Sequence, residues 1–358
     1  MSHLKMKEMD IFGLGNPLLD ITATIDDDFL KKYNLPKNSA IIAEPQHEAM
    51  YEEVINKYDI EYSAGGATQN TLRYCQWVIG KNNQVTTFCG AVGNDYFGKI
   101  MEKKAKTDGV NVKYMMSDEK NTGTCAILLT DNGMNRALCA YLGASEKFDK
   151  HFLLSNFIFV EKARYIYTSG HMLPVSADSV MHLAKHSHEL GKDFFFNIAA
   201  PYVSHKCSDK LNELFPYIDF FFANSDEAMA FATMKGYPSK DMKEIAKMIS
   251  KEPKIQYKNP NIPNDYKSGR IVIITQSEKP VLFARSDSNQ VKEYPVIQLK
   301  QEEIKDTNGA GDAFTGGFLA MYISGKSLDT CISCAIYCAS ECLKQLGCTL
   351  PKRCNFTP

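Results

Sequence analysis

The sequence carries almost no excess of charge of either sign: 41 lysines and arginines stand against 42 aspartates and glutamates, a formal net charge of -1. Grip on a nucleic-acid backbone or an anionic membrane leaves a basic footprint in such totals. None is present, so neither partner is expected. Long apolar runs are also missing, and no stretch approaches the ~20 residues that a membrane-spanning helix needs. The opening MSHLKMKEMD is short and charged and lacks the apolar centre of a secretory leader. There is no internal repeat. Cysteine, by contrast, is plentiful, but 11 is an odd number and the residues are dispersed over 358 positions. That pattern suits reduced thiols in a large cytosolic protein better than a disulfide framework. On this reading the sequon Asn355-Phe356-Thr357 is a chance match. A cytoplasmic monomer is expected, with the nucleus as a second compartment.

What fills the chain is an alternation of apolar strands and amphipathic helices. MDIFGLG, QVTTFCGAVG, ARYIYTSG, DFFFNIA, IDFFFAN and RIVIITQ are continuous apolar runs, as buried parallel strands are. Helical periodicity follows in TQNTLRYCQWVIG, SADSVMHLAKHSHELG, SDEAMAFATMKG and KDMKEIAKMIS. The alternation predicts an α/β fold with a doubly wound, mostly parallel sheet. Two regions break it with short alternating strands, NSAIIAE, TGTCAILLT and RALCAYLG, and a turn at Asp131-Asn132-Gly133. They are read as one smaller, discontinuous β-rich lid domain, residues 18–65 and 119–145. The large catalytic domain then comprises 1–17, 66–118 and 146–358. The segment 251–270, rich in lysine and proline, is expected to be a surface loop.

The densest chemistry lies at 306–317, DTNGAGDAFTGG, ahead of the helical FLAMYISG. Gly309 and Gly311 bring backbone N–H groups close to an anion, and the helix adds its positive end. Asp312 in the first turn is either a helix cap or a base facing a nucleophile. Capping alone does not explain Gly-Ala-Gly before it. A phosphate cradle beside a carboxylate that takes a hydroxyl proton explains both.

Other motifs are weighed against their plainer readings. GNDYFGKI (93–100) lacks the Ser or Thr of a P-loop, since Ile100 stands there, and that reading fails. GLGNPLLD (13–20) lacks the third Rossmann glycine, because Leu18 replaces it. What remains is Asn16 and Asp20 at the carboxyl end of a strand, suited to a diol or forming an Asx turn. SAGGATQN (63–70) puts a glycine pair before a helix with Asn70 one turn in. NSDE (224–227) offers Asn224 and Glu227 either to a hydrated magnesium ion or as a capping box. Cys331, Cys334, Cys338 and Cys342 share a helix face and are assigned to core packing, because ligands spread over three turns cannot converge on one ion. His182, His186 and His188 are read as surface or partly buried residues.

With these pieces in place the chain resembles the ribokinase-like (carbohydrate kinase PfkB) family, in the branch that phosphorylates adenosine. GLGNPLLDI (13–21), AGGATQN (64–70), CGAVGNDYFG (89–98), DTNGAGDAFTGGF (306–318) and LGCTLP (346–351) carry the resemblance over nearly the whole chain. It implies transfer of the ATP γ-phosphoryl group to the 5′-hydroxyl of adenosine, giving AMP and ADP, with magnesium. Asp312 is then the base, and Gly309, Ala310 and Gly311 form the anion hole. Arg136 reaches over the transferring phosphate. Asn16, Asp20, Gly65, Gly66 and Asn70 hold the ribose. Leu18, Cys125, Leu138, Ala140 and Leu142 supply an apolar wall for adenine, with Met172 packing on the base. Thr275, Gln276 and Ser277 serve the ATP loop, Asn308 lies near the base and phosphates, and Asn224 and Glu227 order the metal's water shell. His171-Met172 stands where the family often has an aromatic after Gly170, and Ser277 replaces a glycine. The competing functions are another ribokinase-like sugar or nucleoside kinase and a non-catalytic nucleoside-binding protein.

Overall fold

The computed structural model describes residues 7–37, 39–80, 83–131, 135–255 and 269–358. Residues 132–133 of the expected turn and most of the expected loop at 251–270 lie outside them. The strands, in chain order, are β1 (Ile11–Leu14), β2 (Leu18–Thr24), β3 (Ser39–Ile42), β4 (Ile60–Gly65), β5 (Thr86–Gly93), β6 (Asn111–Ser117), β7 (Thr124–Thr130) and β8 (Asn135–Tyr141). There follow β9 (Tyr165–Ser169), β10 (Asp193–Asn197), β11 (Phe220–Asn224), β12 (Ile271–Gln276), β13 (Lys279–Arg285) and β14 (Lys292–Tyr294).

Nine of them form one sheet in the order β14-β13-β12-β11-β10-β9-β1-β5-β6. It is parallel from β6 to β12, and β13 and β14 close one edge antiparallel. The central strands β5, β10 and β11 are apolar and buried on both faces, as a sheet covered by helices on each side demands. On one face the helices Ala67–Ile79, Ala310–Ile323 and Leu328–Leu343 build a core with Tyr74, Phe88, Phe195 and Phe318. On the other, Leu173–Leu190, Ser225–Met234 and Met242–Lys251 pack with Phe12, Phe194, Phe196 and Phe231. Cys331, Cys334, Cys338 and Cys342 are fully buried in the first core, the packing role expected of them. His182 and His186 meet Phe157 edge-to-face, and His188 meets Tyr217 in the same way. The strand order runs outward from β1 through β5 and β6, then returns to β9 on its other side. Such a reversal opens a crevice beyond the carboxyl ends of the strands.

A second sheet, β3-β8-β7-β2-β4, draws its strands from the two regions that break the alternation. Side chains alternate across it with period two. Ile21, Ala23, Ala126, Leu128, Ala137 and Cys139 face the helices Asp27–Lys32 and Glu48–Lys57 and form their own core. The opposite set, Leu18, Cys125, Ile127, Leu129, Leu138 and Ala140, clusters on the other face. Among the described residues no helix is long and apolar enough to cross a membrane.

Candidate active site

A cleft of about 590 Å³ runs between the carboxyl ends of the parallel strands and the open face of the small sheet, within the size range of small-molecule sites. The chain enters it at Asn16-Pro17, where β1 ends and β2 begins. Asp20 is not at a strand's carboxyl end, as the sequence suggests, and not in a turn. It sits inside β2, because Pro17 ends the short link and the chain extends directly into the second sheet. Register aligns Asp20 with Ser63 on one side and Cys125 on the other, and Cys125 with Ala140. One row across the small sheet therefore carries Asp20, Cys125 and Ala140. Gly65 makes room for it: a Cβ there would stand 2.3 Å from both Asp20 carboxylate oxygens. Gly66 has φ +94°, which L side chains rarely adopt, and caps the helix Ala67–Ile79.

From that helix Asn70 Nδ2 donates to Asp312 Oδ2 at 3.1 Å. Asp312 lies in the first turn of the helix Ala310–Ile323, whose N-cap Gly309 is left-handed with φ +75°. A Cβ on Gly309 would stand 2.5 Å from Cys348 Sγ, so packing alone requires glycine there. Gly311 is different. A Cβ on it would meet nothing within 4 Å, so no contact within the chain calls for glycine. No side chain caps the start of this helix, and its N–H groups are free to take an anion in the cleft.

Three carboxylates surround this point. Burial pushes Asp312 up from its ordinary range to about 7; the Asn70 donor opposes that rise and the Glu227 charge adds to it. Asp20 is also pushed up to about 7 by burial, against the pull of the Arg73 guanidinium, with Asp312 and Asp306 adding to the rise. Glu227 is raised to about 7 by burial as well, offset by the Asn224 backbone N–H and increased by Asp226. A cavity that holds three carboxylates this reluctantly is suited to donors and cations.

At 224–227 both sequence readings hold at once. Asn224 accepts from the Glu227 N–H at 2.9 Å and Glu227 Oε2 from the Asn224 N–H at 2.9 Å, a complete capping box. Both residues also line the cleft. No group of three or more His, Cys, Asp or Glu suited to a metal occurs among the described residues. Opposite, Arg136 on β8 donates to Asp306 Oδ1 at 3.1 Å and to the Thr307 hydroxyl. Asp306 also accepts from the N–H groups of Asn308 and Gly347, which ties the glycine loop to the segment after the last helix.

Of the residues expected from sequence, Leu18, Asp20, Gly66, Asn70, Cys125, Arg136, Asn224, Glu227, Thr275, Asn308, Gly309, Gly311 and Asp312 line the cleft. Leu138 and Ala140 belong to the apolar cluster on the small sheet's open face. Ala310 opens the helix between the two glycines. Asn16 donates to the His171 carbonyl at 3.0 Å, and its buried Oδ1 has no partner. Four expectations fall elsewhere. Met172 is fully buried in the core beneath the sheet, because the tight turn at 170–172 points one residue inward and the next outward. His171 lines the cleft instead, its Nδ1 2.8 Å from the Tyr202 hydroxyl. Leu142 lies past the end of β8, where its carbonyl accepts from Ser145. Gln276 ends β12, donating to the Pro280 carbonyl at 2.7 Å, and Ser277 lies in the turn to β13.

Sequence reasoning missed Asn197, Ala199, Thr307 and Phe314, all in the cleft wall. Asn197 was within reach of the reasoning applied to Asn224, since each ends a parallel strand. Ala199 carries no such signal; its φ of +64° is set by the fold, with its N–H donating to Asn197.

Comparison with known proteins agrees with this architecture. Residues 37–353 match the pfkB family carbohydrate kinase model. The chain is 38% identical over 348 residues to adenosine kinase 2 of Arabidopsis thaliana, covering 97% of each. It superposes with a TM-score of 0.87 on Anopheles gambiae adenosine kinase in complex with P1,P4-di(adenosine-5) tetraphosphate, at 41% identity and with 98% of this chain and 100% of that one covered. Schistosoma mansoni adenosine kinase in complex with 2-fluoroadenosine gives 0.86 at 32% identity, with 98% of this chain and 99% of that one covered.

Proposed function

The chain belongs to the pfkB family of carbohydrate kinases, and from that premise we infer that it phosphorylates adenosine with ATP as the co-substrate. The reaction gives AMP and ADP, the γ-phosphoryl group passing to the 5′-hydroxyl. The observation that carries this is the helix start at Gly309–Asp312. An uncapped helix end with open space over Gly311 stands beside a half-buried carboxylate. An anion fits the first and a hydroxyl about to lose its proton fits the second.

Asp312 takes the proton from the 5′-hydroxyl as the oxygen attacks the γ-phosphorus. The N–H groups of Gly309, Ala310 and Gly311 meet the charge on the transferring group. The ribose hydroxyls pair with Asp20, with Asn70 and with the unsatisfied Asn16 Oδ1. Leu18, Cys125, Leu138 and Ala140 cover the base. Arg136, now paired with Asp306 and Thr307, turns its guanidinium to the phosphates when the nucleotide is bound. Residues 18–65 and 119–145 act as a lid on the remainder, which excludes water from the transfer. Asn224, Thr275 and Asn308 face the nucleotide.

The donors suit a magnesium ion that keeps most of its water. Glu227 would supply a single hard oxygen, and a cation would offset the burial that disfavours its charge; magnesium in phosphate sites binds through one or two carboxylates and water. Glu227 and Asn224 would hold it. It would neutralise phosphate charge during transfer.

A coupled ADP-release assay with adenosine, inosine, guanosine and ribose tests the reading. Adenosine is expected to lead by at least about tenfold in kcat/KM. Equal or better turnover of ribose would make the chain a sugar kinase, and no release with any acceptor would leave a nucleoside-binding protein.

A further inference from the structure

We infer that Arg73 is a positioning residue for phosphoryl transfer: its donation to Asn70 Oδ1 fixes the Asn70 amide so that the NH₂ group faces Asp312. The inference rests on Asp312 acting as the base. An asparagine amide has two ends of nearly equal shape and opposite hydrogen-bond character. With the ends exchanged, Asn70 would point oxygen lone pairs at a carboxylate and Asp312 would lose its donor. A guanidinium has donors only, so Arg73 Nη1, 3.1 Å from Asn70 Oδ1, accepts one orientation of the amide and rejects the other.

Arg73 is itself immobile. Its Nε donates to Asp108 at 2.7 Å, and the two hydrogens of Nη1 are shared among Asn70 Oδ1 and the carbonyls of Cys348, at 3.0 Å, and Ala64. It is 3% exposed and lies outside the cleft wall. It therefore acts on the reaction only through what it holds. A positive charge behind the amide also strengthens the N–H that Asn70 gives to Asp312. The other ionisable groups near Asp312 are Glu227 from the helix Ser225–Met234, Asp20 from β2, Tyr167 from β9 and Cys348 beyond the last helix. The Arg73 charge also lowers Asp20, against the rise that burial causes there.

The test is a cycle of kcat and KM for adenosine against pH, between about pH 5 and 9. It uses wild type, Arg73→Met, Arg73→Lys, Asn70→Ala, the double variant R73M/N70A, and Asp312→Asn. Arg73→Met is expected to lose roughly ten- to a hundredfold in kcat, with the acid limb of the profile moved to higher pH because Asp312 has lost its donor. Arg73→Lys recovers part of that loss. On the Asn70→Ala background Arg73→Met adds little, since the group it steers is gone. Losses that multiply in the double variant, or a lowered melting temperature with unchanged kcat and pH midpoint, overturn the inference. If Arg73→Met does not fold, Asp108→Asn loosens the same guanidinium from its partly exposed anchor and is expected to shift kcat and the midpoint in the same direction. A folded Asp108→Asn with both unchanged counts against the inference. Asp312→Asn keeps the two levels apart. Near-normal turnover there removes the base itself, whereas an inactive Asp312→Asn with multiplying losses removes only Arg73.

Discussion

Asn70 and Asp312 stand 242 positions apart in the chain and 3.1 Å apart in the fold. The contact joins the two glycine-rich helix starts on one face of the large sheet. Each start is opened by a glycine with positive φ, at Gly66 and Gly309, and each delivers a polar side chain one turn in. The pair sets the floor of the cleft, and the small sheet sets its roof.

The roof is tied to the floor through Arg136 and Asp306, which are 3.1 Å apart. Arg136→Ala should lower kcat by about ten- to a hundredfold while leaving adenosine affinity without ATP within a few-fold, because a guanidinium at the phosphates matters as charge redistributes. Isothermal titration of the binary complex alongside steady-state rates checks this. An equal loss in both would put Arg136 at the nucleoside.

Gly311 and Gly309 should respond oppositely to alanine. Gly311→Ala meets no atom within 4 Å and should melt higher, by up to about 1 kcal/mol from helix propensity. Its turnover should fall at least about tenfold as the methyl group enters the anion hole. Gly309→Ala combines φ +75° with Cys348 Sγ at 2.5 Å and should cost at least about 1–2 kcal/mol in stability. Thermal melts and rates on both proteins decide it, and a Gly311→Ala enzyme of full activity would move the phosphate elsewhere.

Asp20 tests the substrate side. If its carboxylate accepts from the ribose hydroxyls, Asp20→Ala should erase much of the preference for adenosine over 2′-deoxyadenosine, a difference of about 1–3 kcal/mol. The ratio of kcat/KM for the two substrates in each protein is the readout. An unchanged ratio in a folded variant removes Asp20 from the ribose.

The same residue should show in the pH dependence of stability. Asp20 is held at about 7 in the folded state against 3.8 when unexposed to these surroundings. Folding therefore favours the protonated form, and its contribution is fully present below about pH 4 and lost as pH rises through about 7. Asp20→Asn removes that loss, so ligand-free protein should gain on wild type by about 1–3 kcal/mol between pH 5 and pH 8. Urea melts at the two pH values measure it, and a gap independent of pH contradicts it.

The framework of the fold was legible because buried parallel strands are continuous apolar runs, and six of these, from MDIFGLG to RIVIITQ, are the strands β1, β5 and β9 to β12. The floor of the site was legible because glycines before a helix leave a mark in sequence. Side-chain direction was not. Whether His171 or Met172 faces the cleft depends on a three-residue turn, and neither residue type distinguishes the two outcomes. Asp20 follows a proline after a strand and reads as a turn, yet the chain crosses there into a different sheet. Arg73 lies one turn beyond Asn70 on an amphipathic helix, and nothing in the sequence singles it out. Its burial depends on Asp108 and Cys348, which only the tertiary fold brings to it.

The measurement that bears most directly on the account is single-turnover phosphorylation of adenosine by Asp312→Asn, paired with adenosine binding to the same protein. The amide fits the space and cannot take the proton. Binding is expected to stay within a few-fold of wild type while the transfer rate falls by about 10²–10⁴-fold. In wild type, kcat/KM should rise with pH through about 7, where the free enzyme's Asp312 ionises. Transfer by Asp312→Asn within a few-fold of wild type would reduce Asp312 to an acidic residue of the helix's first turn and leave the reaction without its base.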